Sequence, residues 1–370
     1  MFCMVTRHRE RLLQDLISQV RERTFPYEER EKGKINWNAY DKAQCREIVE
    51  VLNFIRELVN KAEERVAARS DQKGKAFGRP PEIRSSDVAK VLLMQTYFGV
   101  SNRVAEGYAI LFSEKLGLHD EFSYKTIERG YDDEKVKKLL GEVFTLTNEP
   151  VNGLEEIFSV DGTGHSTSNK QNYEEDRSKQ RSETGVADAF PKGRRNYVAN
   201  VAIIGTKYKL FASWIASTDH RKGERTLFEE SFPTALALHP TMNALLGDGI
   251  YANRPTCRTV SEAGVEPVFL PARNVTFKKK KVSAWVKMLE RFVTDPQDFL
   301  RAYHGRSISE TGFSMEKRAF PKPILKRLPV RKETESFLRG LCHNVKRLCY
   351  IKFLCTEVNL SFTNQPNLLN

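Results

Sequence analysis

Two short apolar runs, each closing on an aspartate and a glycine, constrain this chain more than anything else in it. Ile157-Phe-Ser-Val-Asp161-Gly162 and Asn243-Ala-Leu-Leu-Gly-Asp248-Gly249 read as buried strands that end in an acid, with a loop opening directly above it. The surrounding texture agrees. Segments 197–205 and 208–217 form a strand pair over a tight Gly-Thr-Lys turn, 266–271 is a further strand, and 224–236 and 253–263 carry helical spacing. Strands followed by alternating helix and strand predict an α/β layer fold with a mixed sheet. In such folds ligand sites collect at strand ends. An acid buried there is costly unless a cation neutralises it.

A third acid lies further on, in Tyr303-His-Gly-Arg306-Ser-Ile-Ser-Glu310-Thr-Gly-Phe-Ser-Met-Glu-Lys317. Wound as a helix at about 100° per residue, Tyr303, Arg306, Glu310 and Lys317 fall within a stripe of roughly 60°. One carboxylate is then flanked along a single edge by a phenol, a guanidinium and an ammonium. A carboxylate that holds a metal beside phosphate-gripping cations has this form; so does a solvated helix face with spaced charges. Gly305 and Gly312 count against the helix, each costing about 1 kcal/mol relative to alanine. The two strand-end acids upstream favour the site. Hard divalent ions about 3.5–4 Å apart, held by carboxylates, suit phosphoryl transfer.

Before the first acid the chain reads as helical. Residues 1–68 form an N-terminal helical segment, broken near Pro26 and Gly33, with Ile48, Val49, Leu52, Ile55 and Leu58 at helical spacing. Residues 69–84 are a polar linker, whose Gly78-Arg79-Pro80 has the form of a minor-groove arm or of a plain connection. Helices are expected over 86–97, 102–116, from Ser123 onward and over 133–147. Within 85–150 the second and third have the outline of a helix-turn-helix, an outline shared by helical hairpins that bind nothing. Segment 168–196, polar and nearly without aliphatics, reads as a mobile loop. Lys278, Lys279, Lys280 and Lys281 open a basic insertion around 273–300 that contains a helix over 282–292.

The net charge of +12 and pI near 9.3 suggest a polyanionic partner, either nucleic acid or an acidic membrane surface. No stretch reaches 18 uninterrupted apolar residues, so no membrane span is expected, and residues 1–10 lack the apolar core of a signal peptide. Cys3, Cys45, Cys257, Cys342, Cys349 and Cys355 are dispersed without a Cys-x-x-Cys pair, which fits a reducing cytoplasm; Cys342-His343 reads as structural rather than as zinc ligands. Over 317–347 there are ten Lys or Arg against two Glu, interleaved with Phe320 and Phe337, which suits a nucleic-acid surface or a solvated helical face.

Together these blocks resemble the DDE transposases of prokaryotic insertion sequences, in the subgroup with a Y-x2-R-x3-E-x6-K signature. Tyr303, Arg306, Glu310 and Lys317 meet every spacing of that signature. Ser159-Val-Asp161-Gly-Thr-Gly is similar to the first-acid block, and Leu246-Gly-Asp248-Gly-Ile-Tyr251 with Asn253 to the second. The resemblance covers roughly 155–350. It implies an RNase H-like mixed sheet flanked by helices, in a catalytic domain over 151–350. An all-α region precedes that domain and a tail over 351–370 follows it. It implies that Asp161, Asp248 and Glu310 are the catalytic acids and hold two Mg²⁺ or Mn²⁺ ions. Arg306, Lys317 and the lysines at 278–281 would meet DNA phosphates, and Tyr303 would pack near the cleaved strand.

The implied reaction is metal-dependent hydrolysis at the element's end, followed by attack of the freed 3′-OH on target DNA, with no covalent protein intermediate. The partners implied are terminal inverted repeats, target DNA and a second copy of the chain in a homodimer or larger assembly, at the nucleoid in the cytoplasm. Tyr303 is not expected to be a recombinase nucleophile, since the Arg and His partners are missing. His165, four residues past Asp161, reads as a substrate contact or as incidental. Two other readings stay open: a DNA-binding protein that keeps the fold without transposition, and a metal-dependent nuclease that cuts without joining.

Overall fold

The computed structural model of the chain describes residues 2–28, 35–71, 83–167, 197–273, 275–277, 283–360 and 362. The segment 168–196, the lysines at 278–281 and Gly78-Arg79-Pro80 lie outside these residues.

A five-stranded open sheet separates two layers of helices. Its strands are β1 (Ile157–Ser166), β2 (Tyr197–Gly205), β3 (Phe211–Ser217), β4 (Ala244–Gly247) and β5 (Glu266–Phe269), in the order β3-β2-β1-β4-β5. β2 runs antiparallel to both its neighbours, β1 and β3, while β4 and β5 run parallel to β1. The parallel strands need crossovers, which α8 (Glu224–Leu238) and α9 (Arg254–Glu262) supply. The sheet is apolar on both faces, as a sheet covered on both sides must be. Along β2, Ala202 and Ile204 face one layer and Val201 and Ile203 the other.

The N-terminal region is helical, as expected: α1 (Phe2–Glu22), α2 (Trp37–Asp71), α3 (Ser85–Phe98), α4 (Asn102–Leu111), α5 (Ser113–Leu116), α6 (Tyr124–Gly130) and α7 (Glu134–Asn148). Ser101, Ser123 and Asp133 cap α4, α6 and α7 by accepting backbone amides. α2, α3 and α7 form one continuous core with the Ala202 face of the sheet and with α13 (Pro329–Leu354). A second core joins the Val201 face and β4 to α1, α8, α9, α10 (Ser283–Thr294) and α11 (Pro296–Tyr303). In α2 the buried stripe is Val51, Leu52, Ile55 and Leu58. Ile48 and Val49, expected in that stripe, are exposed. Val49 stands about 160° round the helix from Val51.

The helix expected across 303–317 forms, with one interruption. α11 ends at Tyr303, His304–Arg306 make a single tighter 3-10 turn, and α12 runs Ser307–Ala319. Gly305 and Gly312 serve close approach. A Cβ on Gly305 would stand 2.9 Å from Leu246 Cδ1 of β4, and one on Gly312 2.3 Å from Ile204 Cδ1 of β2. The absent side chains let this rod lie directly on the sheet.

Among the described residues no helix is long and apolar enough to cross a membrane. In α13, a Cβ on Gly340 would come 2.6 Å from Cδ2 of the buried Trp214 indole. Overpacking costs about 1–3 kcal/mol, against about 1 kcal/mol gained from alanine's helix propensity. Gly340→Ala is therefore expected to lose up to about 2 kcal/mol net. Urea unfolding followed by tryptophan fluorescence checks this; an unchanged or higher midpoint would mean that the indole yields.

Candidate active site

The site forms where β4 stops. β1 pairs with β4 only over Ile157, Ser159 and the residue between them, with Ser159 opposite Leu246. Two residues beyond that pair in each segment stand Asp161, still within β1, and Asp248, just past the end of β4, near enough for the charge of Asp248 to bear on Asp161. Asp161 is not at a strand end, as its sequence suggested. β1 continues to Ser166 because β2 pairs with it throughout, Asp161 lying opposite Ala202. The end that matters belongs to the neighbour: β4 stops at Gly247 and leaves that edge of β1 open. Asp248 then turns the chain, its Oδ1 accepting the Ile250 amide at 2.8 Å.

Odd-numbered residues of β1 face α12 and α13. Ser159 Oγ donates to the Arg306 carbonyl at 3.1 Å, which fastens the 3-10 turn to the strand. Asp161 Oδ1 accepts the Gly162 amide at 2.9 Å. Ser309 Oγ lies 3.3 Å from Asp161 Oδ2 and 2.7 Å from the Arg306 carbonyl, with one proton to serve both. Burial pushes the Asp161 carboxyl up. The Gly162 amide opposes the rise, the charge of Asp248 adds to it, and Arg306 and Ser309 oppose it.

Arg306 organises the other wall. Its Nε donates to the Tyr303 hydroxyl at 3.1 Å and its Nη1 lies 3.1 Å from Glu310 Oε1. Burial alone would lower the guanidinium, but Tyr303, Glu310 and Asp161 together raise it. Tyr303 is buried, and its phenol is raised by burial, lowered by Arg306 and raised again by Asp248. Glu310 is 59% exposed, and Lys317, two turns on along α12, is exposed as well.

One acid escaped the sequence reading. Glu224, the first residue of α8, comes up past the end of β4 from the opposite face of the sheet. Its Oε1 accepts from the buried Tyr251 hydroxyl at 2.6 Å. A Cβ on Gly162 would stand 2.5–2.8 Å from this carboxylate, so the glycine after Asp161 is what lets Glu224 in. Burial raises the Glu224 carboxyl; the Tyr251 hydrogen bond lowers it, and the charges of Asp248 and Asp161 raise it. Gly162 and Tyr251 both sat within the blocks singled out from sequence, but neither names its partner on a distant helix.

His165 is buried away from this edge. Its Nδ1 lies 3.0 Å from Ser336 Oγ and its Nε2 3.1 Å from Glu316 Oε2, with the ring stacked on Trp214. Cys342 and His343 have separate partners: the thiol reaches the Leu93 carbonyl and His343 Nε2 the Lys209 carbonyl.

Asp161, Asp248 and Glu224 offer hard oxygen donors whose mutual repulsion a divalent cation would relieve. Glu310, turned to Arg306, does not complete such a set as it stands. Among the described residues no three His, Cys, Asp or Glu side chains converge closely enough to hold a metal ion.

The chain is similar to a probable transposase for insertion sequence element ISA1214 of Archaeoglobus fulgidus: 28% identical over 336 residues, covering 90% of this chain and 94% of that one. No family model matches the chain, and no solved structure matches it. The likeness is distant but spans nearly the whole of both chains. It supports a place among insertion-sequence transposases in general and leaves the subgroup undetermined.

A carboxyl whose pKa rises on folding takes up protons as the chain folds, so its contribution to stability falls as pH rises through the folded value. In metal-free buffer Asp161→Asn and Glu224→Gln should each melt above the wild type at about pH 7. The gain should shrink as the pH drops through the raised folded values towards the ordinary carboxylate range near 4, where the wild-type groups are protonated too. Variants melting at or below the wild type throughout would mean that hydrogen bonds outweigh the repulsion.

Proposed function

We propose that the protein is a DNA transposase of the DDE class that cleaves at insertion-sequence ends and transfers the 3′-OH into target DNA. The observation that carries this reading is the nearness of Asp161, on β1, to Asp248, just past the end of the parallel strand β4, faced by the turn and helix that bear Arg306 and Glu310. The strand order β3-β2-β1-β4-β5, antiparallel on one side of β1 and parallel on the other, supports an RNase H-like catalytic domain. The likeness to the archaeal transposase supports the same class.

In this reading Asp161 and Asp248, joined by Glu310 once it leaves Arg306, would hold Mg²⁺ or Mn²⁺, which when bound would supply the positive charge that phosphoryl transfer requires. Arg306 grips a phosphate near the scissile bond with the guanidinium edge that Tyr303 orients. Ser309 and the Gly162 amide fix the Asp161 carboxylate. Glu224 adds negative charge at the same edge and keeps Tyr251 in place. Lys317 extends the cationic face along α12 towards more distant phosphates. Transfer proceeds in two displacements. Water opens a phosphodiester at the element's end, and the released 3′-OH then displaces a 3′-oxygen of target DNA.

The deciding experiment is joining of a pre-nicked DNA end, taken from sequence flanking the gene, to plasmid in the presence of Mg²⁺. Wild type should join, whereas Asp161→Asn, Asp248→Asn and Glu310→Gln should each lose joining by at least about a hundredfold while keeping DNA binding. Joining retained by any one variant removes that residue from the site. Binding without joining, in Mn²⁺ as well as Mg²⁺, would favour a DNA-binding protein that keeps the fold; cutting without joining would favour a nuclease.

Arg306→Ala should weaken binding to the end and flatten its salt dependence by about one unit of slope. Unchanged binding in a filter or gel-shift titration would make Arg306 a structural partner of Glu310 alone.

A further inference from the structure

A large cavity of the described chain lies away from the acids. It is an open cleft of about 990 Å³ between the α4–α6 region and the segment that follows α12, from Ala319 to Leu328. Arg103, Lys125 and Arg129 come from one wall and Lys322 and Arg327 from the other, and all five are exposed. None of the five pairs with a carboxylate among the described residues. The Arg103 guanidinium stands over the exposed Tyr124 ring at 5.1 Å, and Lys322 Nζ donates to the Gly99 carbonyl at 2.7 Å.

The two walls are tied together. Glu128 of α6 receives Lys326 Nζ at 2.6 Å and Arg331 Nη1 at 2.8 Å, and Arg331 also reaches Asp132 at 2.9 Å. Burial alone would raise the Glu128 carboxyl, yet hydrogen bonds from Lys326, Asn102 and Arg331 hold it below its usual range. The acid is therefore ionised and locked at neutral pH, and the cleft keeps a fixed shape. Its outer cations remain available to another anion.

The cleft is also fixed relative to the acids. Ala319, at its edge, ends the helix that carries Glu310 nine residues earlier, about 14 Å along the axis. That distance is roughly four base pairs of duplex at 3.4 Å each. Lys317 and Arg318 lie between the two. Cations spread over both walls of a long open cleft match a row of phosphates better than a single one.

We infer that this cleft holds the sugar-phosphate backbone of duplex DNA a few base pairs from the acids, gripped by Arg103, Lys125, Arg129, Lys322 and Arg327. The inference rests on the transposase reading and adds to it a second DNA contact built jointly by the helical region and the catalytic helix's continuation. Being a backbone contact, it is independent of sequence.

The test is a salt titration, between about 50 and 200 mM NaCl, of the full chain binding a duplex of about 30 base pairs of arbitrary sequence. The double variant Arg129→Ala/Arg327→Ala should lower the log–log salt slope by about two and weaken binding on the order of tenfold at the low-salt end. Its melting temperature should match the wild type, because both side chains are exposed. Arg129→Gln/Arg327→Gln, which keeps the side-chain length, should behave the same way. Unchanged slope and affinity in both double variants, with wild-type binding intact, would overturn this inference and leave the transposase reading standing. A wild-type chain that binds no duplex at all would overturn both.

Discussion

The burial and crowding of carboxylates at a foreshortened strand edge set the terms for the rest of this molecule. β4 leaves β1 after three paired positions, and Asp161, Asp248 and Glu224 crowd into the gap. Each is held by a donor of its own: the Gly162 amide, the Ile250 amide and the Tyr251 hydroxyl. Hydrogen bonds to charged groups contribute about 1.5–3 kcal/mol each, enough to keep the acids in place without a counter-ion but not to remove their repulsion. The surrounding fold has to hold them against it.

The rigid backing comes from glycine contacts and a buried polar network. Gly305 and Gly312 let the 3-10 turn and α12 rest on β4 and β2, so that Arg306 and Ser309 meet Asp161 with no intervening side chain. Further along β1, His165 bridges Glu316 of α12 and Ser336 of α13, and Ser336 reaches on to Asn200 of β2 and the Trp214 indole of β3. Buried polar chains of this kind specify one arrangement, because a slipped helix would strand several partners at once. The strand that carries Asp161 and the helix that carries Glu310 are thus registered to each other from below.

Much of this was legible in the sequence. The alternation of strands and helices after Ile157 predicts the mixed sheet, and the Asp-Gly pairs and the Tyr303–Lys317 spacing mark three of the acids and their cations. What stayed hidden depends on pairing across distance. The continuation of β1 past Asp161 follows from β2, which a local reading of Val160-Asp161-Gly162 does not see. Glu224 looks like any acid in the first turn of a helix, where acids are favoured for their own sake. Its place becomes evident only when Gly162 and Tyr251 are seen against it. Gly305 and Gly312, which count against a helix by propensity, are in fact the condition for its packing.

The acids differ in how firmly they are placed, and the difference follows from burial. Asp161 and Glu224 are half-buried, bonded to groups that cannot move without disturbing the sheet or α8. Glu310 is mostly exposed and rests on a helix-surface pair with Arg306, an interaction worth about 0–1 kcal/mol. A phosphate competing for the guanidinium, or a cation competing for the carboxylate, needs little free energy to break that pair. The same arrangement therefore keeps Arg306 and Glu310 neutralised in the free chain and leaves both available when an anion and a cation arrive together. Asp161 and Glu224 are thus fixed by the fold, whereas Glu310 can turn away from Arg306 at little cost.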